Sequence, residues 1–412
     1  MTKDSKTHCA DSFSKWGSKL PGLSEEESEE FQTAVKAGNL SKAISVVKKS
    51  DELLRNTELN IAITGDTGSG KSSFINAIRS LNDDDAGAAQ TWVKEMTKEP
   101  TRYPHPMHPN VILWDLPGIG TPNYPAKTYR EDVNLDGYDF FIIISAGRFT
   151  EADARLAKEI NSMGKKIYFV RSKVDVDLAN EQRKRNFNKE KTLEVIRNDC
   201  KDQLQKAGII SSQVFLVSRW DFDKYDSPRL QGTLANELDT HKRYILICAL
   251  PSTSEVILKE KQKALQEQIW KQALKSCAIA AVPLPFLSVH CDVSILVDNM
   301  TEYCTSFGLD DDSLASLAKQ FRKSVVDLKS VIKSSLAKDI SRDEALKRLR
   351  EATGERMMTA KYFLSLVPVL GTGVAAGRSY KVTYEMLHTF LDEVAEDAQR
   401  VLRKALEGAE KI

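Results

Sequence analysis

The sequence predicts a doubly wound, mostly parallel α/β domain that is inserted into an all-α helical domain. Between about residues 58 and 240, continuous apolar runs alternate with amphipathic helical patterns, as is typical of parallel strands covered by helices on both faces. Before and after this region only helical periodicity is found. The predicted parts are a flexible tail at 1–22, the α/β domain at 57–240, and a helical domain built from 23–56 and 241–412.

The predicted strands are apolar runs without alternation: Leu59–Thr64, Val111–Asp115, Phe140–Ile144, Ile167–Arg171 and Val214–Ser218. Helices are expected between them at about Lys71–Arg79, Glu151–Ser162 and Lys189–Lys206. In the helical domain, Ser24–Glu27 and Ser341–Glu344 have the spacing of capping boxes, which start helices. Apolar residues recur at three-four spacing over Tyr384–Ala405, which predicts a long C-terminal helix with one core-facing side.

Composition favours a cytoplasmic protein that does not bind nucleic acid. The net charge is only +1, and the six cysteines are scattered without a C-x-x-C pair, which suits a reducing compartment. The first twenty residues are polar, so no signal peptide is expected, and Thr2 stands where N-myristoylation requires glycine. Two uncharged runs, Ser276–Cys291 and Tyr362–Gly377, are each shorter than the roughly 20 residues of a membrane span. Any membrane association is therefore expected to be peripheral.

Residues 65–72 match the phosphate-loop pattern G-x-x-x-x-G-K-[ST], with a predicted strand before them and a predicted helix after them. The backbone N–H groups of such a loop bind the α- and β-phosphates of a nucleotide. Lys71 is expected to reach the β- and γ-phosphates and to act in catalysis, and the Ser72 hydroxyl to bind Mg²⁺. The residues assigned to the nucleotide here are Gly65, Asp66, Thr67, Gly68, Ser69, Gly70, Lys71, Ser72 and Ser73.

A second phosphate motif, D-x-x-G, ends the predicted strand that closes with Asp115. In this position Asp115 is expected to hold Mg²⁺ through water, and the Gly118 amide to contact the γ-phosphate. The motif is short and would carry little weight by itself. Its place, about fifty residues after the phosphate loop and at a strand end, favours the assignment over a simple turn.

The segment Ser172-Lys173-Val174-Asp175 matches the guanine motif [N/T]-K-x-D, with serine in the first place. Asp175 can accept two hydrogen bonds from the guanine N1–H and 2-amino groups, a pair of donors that adenine does not offer. Lys173 is expected to stack its aliphatic stem over the base. The segment Val217-Ser218-Arg219, after the next strand, falls where a short base-contacting loop is expected, and Ser218 is assigned to the nucleotide. These residues favour GTP and GDP as ligands over ATP, and disfavour a P-loop ATPase or kinase.

Catalysis depends on a residue that the sequence does not supply at its usual place. Small Ras-like GTPases have a water-orienting glutamine directly after D-x-x-G, and here that residue is Ile119. The missing group is expected from a second molecule or from residues 83–109. In that segment Thr91 is the candidate switch residue for Mg²⁺, and Glu95 is the candidate that orients water. His105 and His108 are not expected to form a metal pair, because neighbouring prolines favour extended backbone.

Four motif regions resemble the immunity-related GTPases, the interferon-inducible, dynamin-like resistance GTPases of vertebrates: Gly65–Asn76, Trp114–Gly120, Tyr138–Ser145 and Tyr168–Asp175. The resemblance implies a Ras-like GTPase domain, GTP-dependent self-assembly, and hydrolysis activated across a dimer of GTPase domains. It also implies peripheral action at intracellular membranes in cell-autonomous innate defence. Lys71 is typical of the lysine-containing subgroup, and Glu95 matches that family's catalytic glutamate.

Two departures from this family leave alternatives open. The N-myristoylation signal is missing, and the usual threonine of the guanine motif is Ser172. Residues 277–300 are expected to form a buried helix, with an amphipathic membrane-binding helix as the alternative. For function, the alternative to a self-assembling GTPase is a guanine-nucleotide-dependent scaffold that scarcely hydrolyses GTP.

Overall fold

The computed structural model describes residues 20–91, 99–119, 124–125, 128–147, 150–209, 213–219, 224–280, 287–334, 340–353 and 371–407. The chain forms two compact units. One runs from Glu58 to Glu237 and includes Ala249–Ile257, and the other combines the chain up to Thr57 with Leu238–Cys248 and the chain from Leu258 onward. The α/β sheet lies in the first unit, and the second is built from helices.

The α/β unit contains a six-stranded sheet: β1 Leu59–Thr64, β2 Thr101–Pro104, β3 Val111–Asp115, β4 Phe140–Ser145, β5 Lys166–Arg171 and β6 Val214–Leu216. The strand order is β2-β3-β1-β4-β5-β6, and every pair is parallel except β2 with β3. This confirms the predicted fold class. Strand β2 was not predicted, because four residues without a continuous apolar run leave no signal. Strand β6 ends two residues earlier than predicted.

The helices of the described residues alternate with these strands and then continue alone: α1 Glu25–Lys36, α2 Leu40–Asn56, α3 Lys71–Ile78, α4 Tyr129–Asp132, α5 Glu151–Ser162, α6 Val174–Glu181, α7 Lys189–Lys206, α8 Ser227–Asn236, α9 Thr240–Ala249, α10 Glu255–Ala280, α11 Leu287–Phe307, α12 Asp311–Gln320, α13 Val325–Ser330, α14 Arg342–Thr353 and α15 Gly371–Leu406. The three predicted α/β helices are present as α3, α5 and α7.

The central strand β4 is buried on both faces, since every residue from Phe140 to Ile144 is buried, and two apolar clusters cover one of these faces. One cluster joins Phe141 of β4 to Leu156 of α5 and Tyr129 of α4. The other joins Ile143, two residues along the same strand, to Leu204 of α7. Phe141 and Ile143 project from the same face of β4, because they are two positions apart, and both clusters include residues of α5. The continuous apolar pattern that predicted doubly covered parallel strands is thereby explained.

The helical unit has its own core. Ser24 caps α1 through the predicted capping box, since its hydroxyl accepts from the Glu27 N–H at 3.2 Å and its own N–H donates to the Glu27 carboxylate at 2.8 Å. Phe31 of α1 packs edge-on against Trp270 of α10, with ring centroids 5.3 Å apart. The predicted face of α15 is buried at Leu387, Leu391, Val394, Ala398, Val401 and Ala405.

The two uncharged runs, Ser276–Cys291 and Tyr362–Gly377, lie largely outside the residues whose side chains are described. Where side chains of 277–300 are described, Val293, Leu296 and Met300 are buried, as expected for a helix within the helical unit. Across the described part of the chain, no helix combines the length and the hydropathy that a membrane crossing requires.

Candidate nucleotide-binding site

The phosphate loop connects β1 to α3, and its backbone takes conformations with positive φ that favour glycine. Gly65, Gly68 and Gly70 have φ values of 137°, 76° and 94°, a region that other residues adopt at a cost. At Gly65 the constraint is also steric, because a Cβ atom there would lie 2.0 Å from the carbonyl oxygen of Ile144 in β4. Gly65 therefore lets the loop pass directly against the neighbouring strand.

Lys71, the first residue of α3, lies over this loop. Its Nζ donates to the carbonyl oxygens of Gly65 at 2.8 Å and Asp66 at 3.0 Å. The middle of the loop, Asp66–Gly68, is exposed. Exposed backbone at a helix N-terminus together with an ammonium group forms an environment that stabilises phosphate.

The second phosphate motif lies beside the first because their strands are adjacent. Asp115 closes β3 opposite Ile63 of β1, and it is 3% exposed. The following turn is held by Tyr129 of α4, whose hydroxyl donates to the Pro117 carbonyl at 2.6 Å. Burial raises the pKa of Tyr129, so this hydroxyl stays protonated and remains a donor. The Ser72 hydroxyl and the Asp115 carboxylate are the hard oxygen donors that suit Mg²⁺.

The guanine motif contacts the phosphate loop directly. The Ser172 hydroxyl donates to the Ser69 carbonyl at 2.5 Å, and the Ser172 N–H donates to the Ser145 carbonyl at 2.9 Å. Lys173 takes a left-handed conformation, with φ of 58°, that turns the chain into α6. Serine therefore does brace this loop, through one short hydrogen bond to the phosphate loop.

A cavity of about 370 Å³ lies between these loops. Its lining includes Gly70 and Ser73 from the phosphate region, Lys173 and Asp175 from the guanine motif, and Ser218 from the turn after β6. The volume is within the range of small-molecule sites, and the lining brings together residues that the sequence assigned separately. The arrangement can hold the base and sugar of a nucleotide whose phosphates reach the loop.

A model of the family described as Interferon-inducible GTPase (IIGP) matches residues 24–405. The chain belongs to the interferon-inducible GTPase family. Interferon-inducible GTPase 5 of Rattus norvegicus is 42% identical over 404 residues, covering 95% of this chain and 87% of the rat protein. Interferon-gamma-inducible GTPase 10 of Mus musculus is 38% identical over 384 residues, covering 93% of this chain and 90% of the mouse protein.

Among solved structures, an oligomerised bacterial dynamin pair aligns over 94% of this chain and 77% of that chain, with 14% identity and a TM-score of 0.34, too low to support an inference. Family membership confirms the resemblance that the motifs predicted. It indicates that this interferon-inducible GTPase family member binds GTP and GDP and acts as a GTPase.

The candidate catalytic groups of this family member are only partly described. Glu95 lies outside the described residues. Thr91 is exposed. Ile119, at the usual glutamine position, packs against the apolar cluster that contains Leu116 and Tyr129. An apolar side chain packed in this way cannot orient water. Within the described residues, no group of three or more histidine, cysteine, aspartate or glutamate side chains forms a metal cluster.

One residue of the predicted base-contacting segment makes contacts that the sequence did not predict. Arg219 lines the cavity, and its guanidinium donates to the Ser73 hydroxyl at 3.1 Å and forms an ion pair with Asp83. Arg219 belongs to the predicted segment only through its place directly after Ser218, and Asp83 belongs to no recognised motif.

Proposed function

We propose that this family member binds GTP or GDP together with Mg²⁺ in the cavity between the phosphate loop and the guanine motif, and hydrolyses GTP in a self-assembled state. The observation that carries the proposal is the 2.5 Å hydrogen bond from the Ser172 hydroxyl to the Ser69 carbonyl. This hydrogen bond connects the loop that would bind the guanine base to the loop that would bind the phosphates. One guanine nucleotide can therefore contact both.

The residue roles in this proposal follow the motifs. The phosphate loop from Gly65 to Ser73 binds the phosphates, with Lys71 at the β- and γ-phosphates and the Gly118 amide near the γ-phosphate. Asp175 accepts hydrogen bonds from guanine, while Lys173 and Ser218 border the base.

Ser72, Asp115 and Thr91 are the proposed oxygen ligands of Mg²⁺. When bound, the metal ion neutralises charge on the β- and γ-phosphates. Asp115 is buried at the end of β3 and is positioned by the sheet itself, whereas Thr91 is exposed in the segment after α3.

Hydrolysis is proposed to be slow in one isolated molecule and faster when two GTPase units associate. The supporting observation is Ile119, which packs against apolar side chains and leaves its position without a water-orienting group. Glu95 is the proposed group that completes the site in the assembled state. Peripheral action at intracellular membranes in innate defence is proposed from the family.

The base specificity can be tested by replacing Asp175 with asparagine. Guanine presents two donors to the carboxylate, whereas an asparagine amide offers one acceptor and one donor. The asparagine amide complements xanthine, in which a C2 oxygen replaces the 2-amino group of guanine. The amide oxygen can accept from the xanthine N1–H, and the amide N–H can donate to the C2 oxygen. We expect GTP affinity to fall about 30-fold, the loss of roughly one to two charge-assisted hydrogen bonds, and xanthosine triphosphate to become the preferred ligand. Fluorescence competition against a labelled nucleotide measures both affinities.

In the same assay ATP serves as the internal control, since its binding should be weak in both proteins. Tight ATP binding that survives the Asp175→Asn change would contradict the guanine assignment and favour an ATPase or kinase.

Self-activation can be tested by single-turnover GTP hydrolysis over a range of protein concentrations. If a second molecule completes the site, the rate per molecule should rise by at least about tenfold between dilute and micromolar protein, because assembly is bimolecular. Light scattering on the same samples reports the assembly itself. A rate that stays near zero at every protein concentration, while GTP remains bound, would instead support the nucleotide-dependent scaffold.

A further inference from the structure

Arg219 places a cation in the wall of the nucleotide cavity, on the turn that follows β6. Its Nη1 donates to the Ser73 hydroxyl at 3.1 Å, and the same nitrogen pairs with the Asp83 carboxylate. Ser73 is the third residue of α3, so this contact joins two parts of the chain that are 146 positions apart. It connects the turn beside the base to the start of the helix that follows the phosphate loop.

The ion pair with Asp83 holds the guanidinium in this place. Asp83 is itself anchored, because its Oδ1 accepts from the side-chain amide of Asn76, a fully buried residue of α3, at 2.9 Å. Burial raises the pKa of Asp83, but the hydrogen bonds from Arg219 and Asn76 outweigh burial and hold it below the usual value. The side chains of Arg219 and Asp83 are 23% and 25% exposed, so their pairing is screened less than that of a surface ion pair.

Ser73 lies where the nucleoside part of the site meets the phosphate part. It follows the phosphate loop at the start of α3, and it also lines the cavity that would hold the base and the sugar. In a nucleotide, the α-phosphate is the group between the sugar and the β-phosphate. The Ser73 hydroxyl is therefore expected to face an oxygen of the α-phosphate, close to the favourable potential of the N-terminus of α3.

The contact with Arg219 decides which way the Ser73 hydroxyl can point. A serine hydroxyl has one donor and two acceptor lone pairs, and it rotates to suit its partners. A guanidinium can only donate, so the Arg219 N–H occupies a lone pair of the Ser73 Oγ and the hydroxyl hydrogen is directed away from Arg219. Without this donor, the hydroxyl would be oriented toward a phosphate for only part of the time.

We propose that Arg219 is a positioning residue for nucleotide binding, which directs the Ser73 hydroxyl hydrogen to one non-bridging oxygen of the α-phosphate while Asp83 holds the guanidinium in place. The inference deepens the proposed function and rests on it, because it requires a guanine nucleotide in this cavity. The two non-bridging oxygens are not equivalent in a chiral site, so the contact is made with one of them. GDP and GTP both carry the α-phosphate, and the contact serves both.

The test uses the two diastereomers of GDP in which sulfur replaces one or the other non-bridging oxygen of the α-phosphate. Sulfur accepts hydrogen bonds more weakly than oxygen, so the diastereomer whose sulfur faces Ser73 should bind less tightly. The measured quantity is the ratio of the two dissociation constants, from competition against a fluorescent GDP. Arg219→Met keeps a long side chain without a donor. We expect it to move this ratio toward one by about three- to tenfold, the equivalent of one modest hydrogen bond.

Further variants separate positioning from a general effect on stability. Both diastereomers are measured on the same protein, so the ratio does not depend on the folded fraction. Ser73→Ala should move the ratio in the same direction by at least as much. In the Ser73→Ala background, Arg219→Met should leave the ratio unaltered, because the hydroxyl is gone. Arg185→Met, which removes an exposed arginine of the same unit, should keep the wild-type ratio.

If Arg219→Met does not fold, Asp83→Asn takes its place. This change removes the charge that holds the guanidinium and retains the shape of the side chain. It should move the ratio in the same direction by a smaller factor.

Equal affinities for the two diastereomers in the wild type, an unchanged ratio in both Arg219→Met and Asp83→Asn, or an equal shift in Arg185→Met would overturn the inference. A shift from Arg219→Met that persists in the Ser73→Ala background would also overturn it, because the guanidinium would then act on the phosphate without Ser73. These outcomes leave nucleotide binding itself intact. A wild-type protein that does not bind fluorescent GDP would instead refute the proposed function.

Discussion

Replacing Lys71 with alanine is expected to abolish detectable binding of GTP and GDP. The Lys71 ammonium lies over the phosphate loop, held by the carbonyls of Gly65 and Asp66 at 2.8 and 3.0 Å. In the proposed complex it exchanges these partners for the β- and γ-phosphates. Loss of two charge-assisted hydrogen bonds corresponds to an affinity decrease of about a thousandfold or more. Isothermal titration calorimetry with GDP and a non-hydrolysable GTP analogue measures it.

The matched control is Lys206→Ala, which removes an exposed lysine from the last turn of α7 in the same unit. It should bind both nucleotides as the wild type does. Both variants should unfold at the wild-type temperature, since neither ammonium supports the core. GTP affinity that is unchanged in Lys71→Ala would refute the assignment of this loop to phosphate.

Replacing Gly65 with alanine is expected to destabilise the α/β unit itself. The added Cβ would lie 2.0 Å from the Ile144 carbonyl oxygen, and the backbone φ of 137° is strained for any residue with a side chain. Since Ile144 is in a central strand, the clash cannot be relieved by rotating a flexible side chain. We expect a cost of about 3 kcal/mol or more, seen as a decrease of roughly 5–10 °C in the thermal midpoint.

Gly68→Ala is the matched control within the same loop. Its φ is 76°, but nothing lies within 4 Å of the place that an added Cβ would take, so only backbone strain of about 1 kcal/mol is added. Circular dichroism melting curves of the two variants should therefore differ clearly. Equal midpoints would show that the close approach to Ile144 is not what requires glycine at residue 65.

The parts of the site that could be predicted are those where the chemistry fixes residue types at short spacing. The phosphate loop is one, because left-handed glycines, a lysine and a hydroxyl must follow one another within eight residues. The brace from Ser172 to Ser69 could not be predicted, because the two residues are 103 positions apart and meet only through the strand order. The sequence indicated that serine replaces the usual side chain, but not what its hydroxyl would reach.

The same reason explains why the ion pair between Asp83 and Arg219 was not predicted. They are separated by 136 positions, and each occurs in a connecting segment without a motif. Strand β2 was missed for a different reason. Its four residues include Arg102 and Pro104, and a short run of this composition cannot be distinguished from a loop in the sequence. Only the antiparallel pairing with β3 in the structure identifies it as a strand. Fold class was predictable because apolar runs are long in the central strands, where burial on both faces demands them.

The two outer strands of the sheet have a consequence for a protein that is proposed to self-assemble. In the described residues, β2 has four residues and ends in Pro104, which lacks an N–H, and β6 has three. A long flat outer strand recruits strands of other chains and seeds fibrils, whereas short strands that carry proline or charge resist this. In the proposed assembly, copies would therefore associate without strand exchange, through side-chain contacts rather than by extending the sheet.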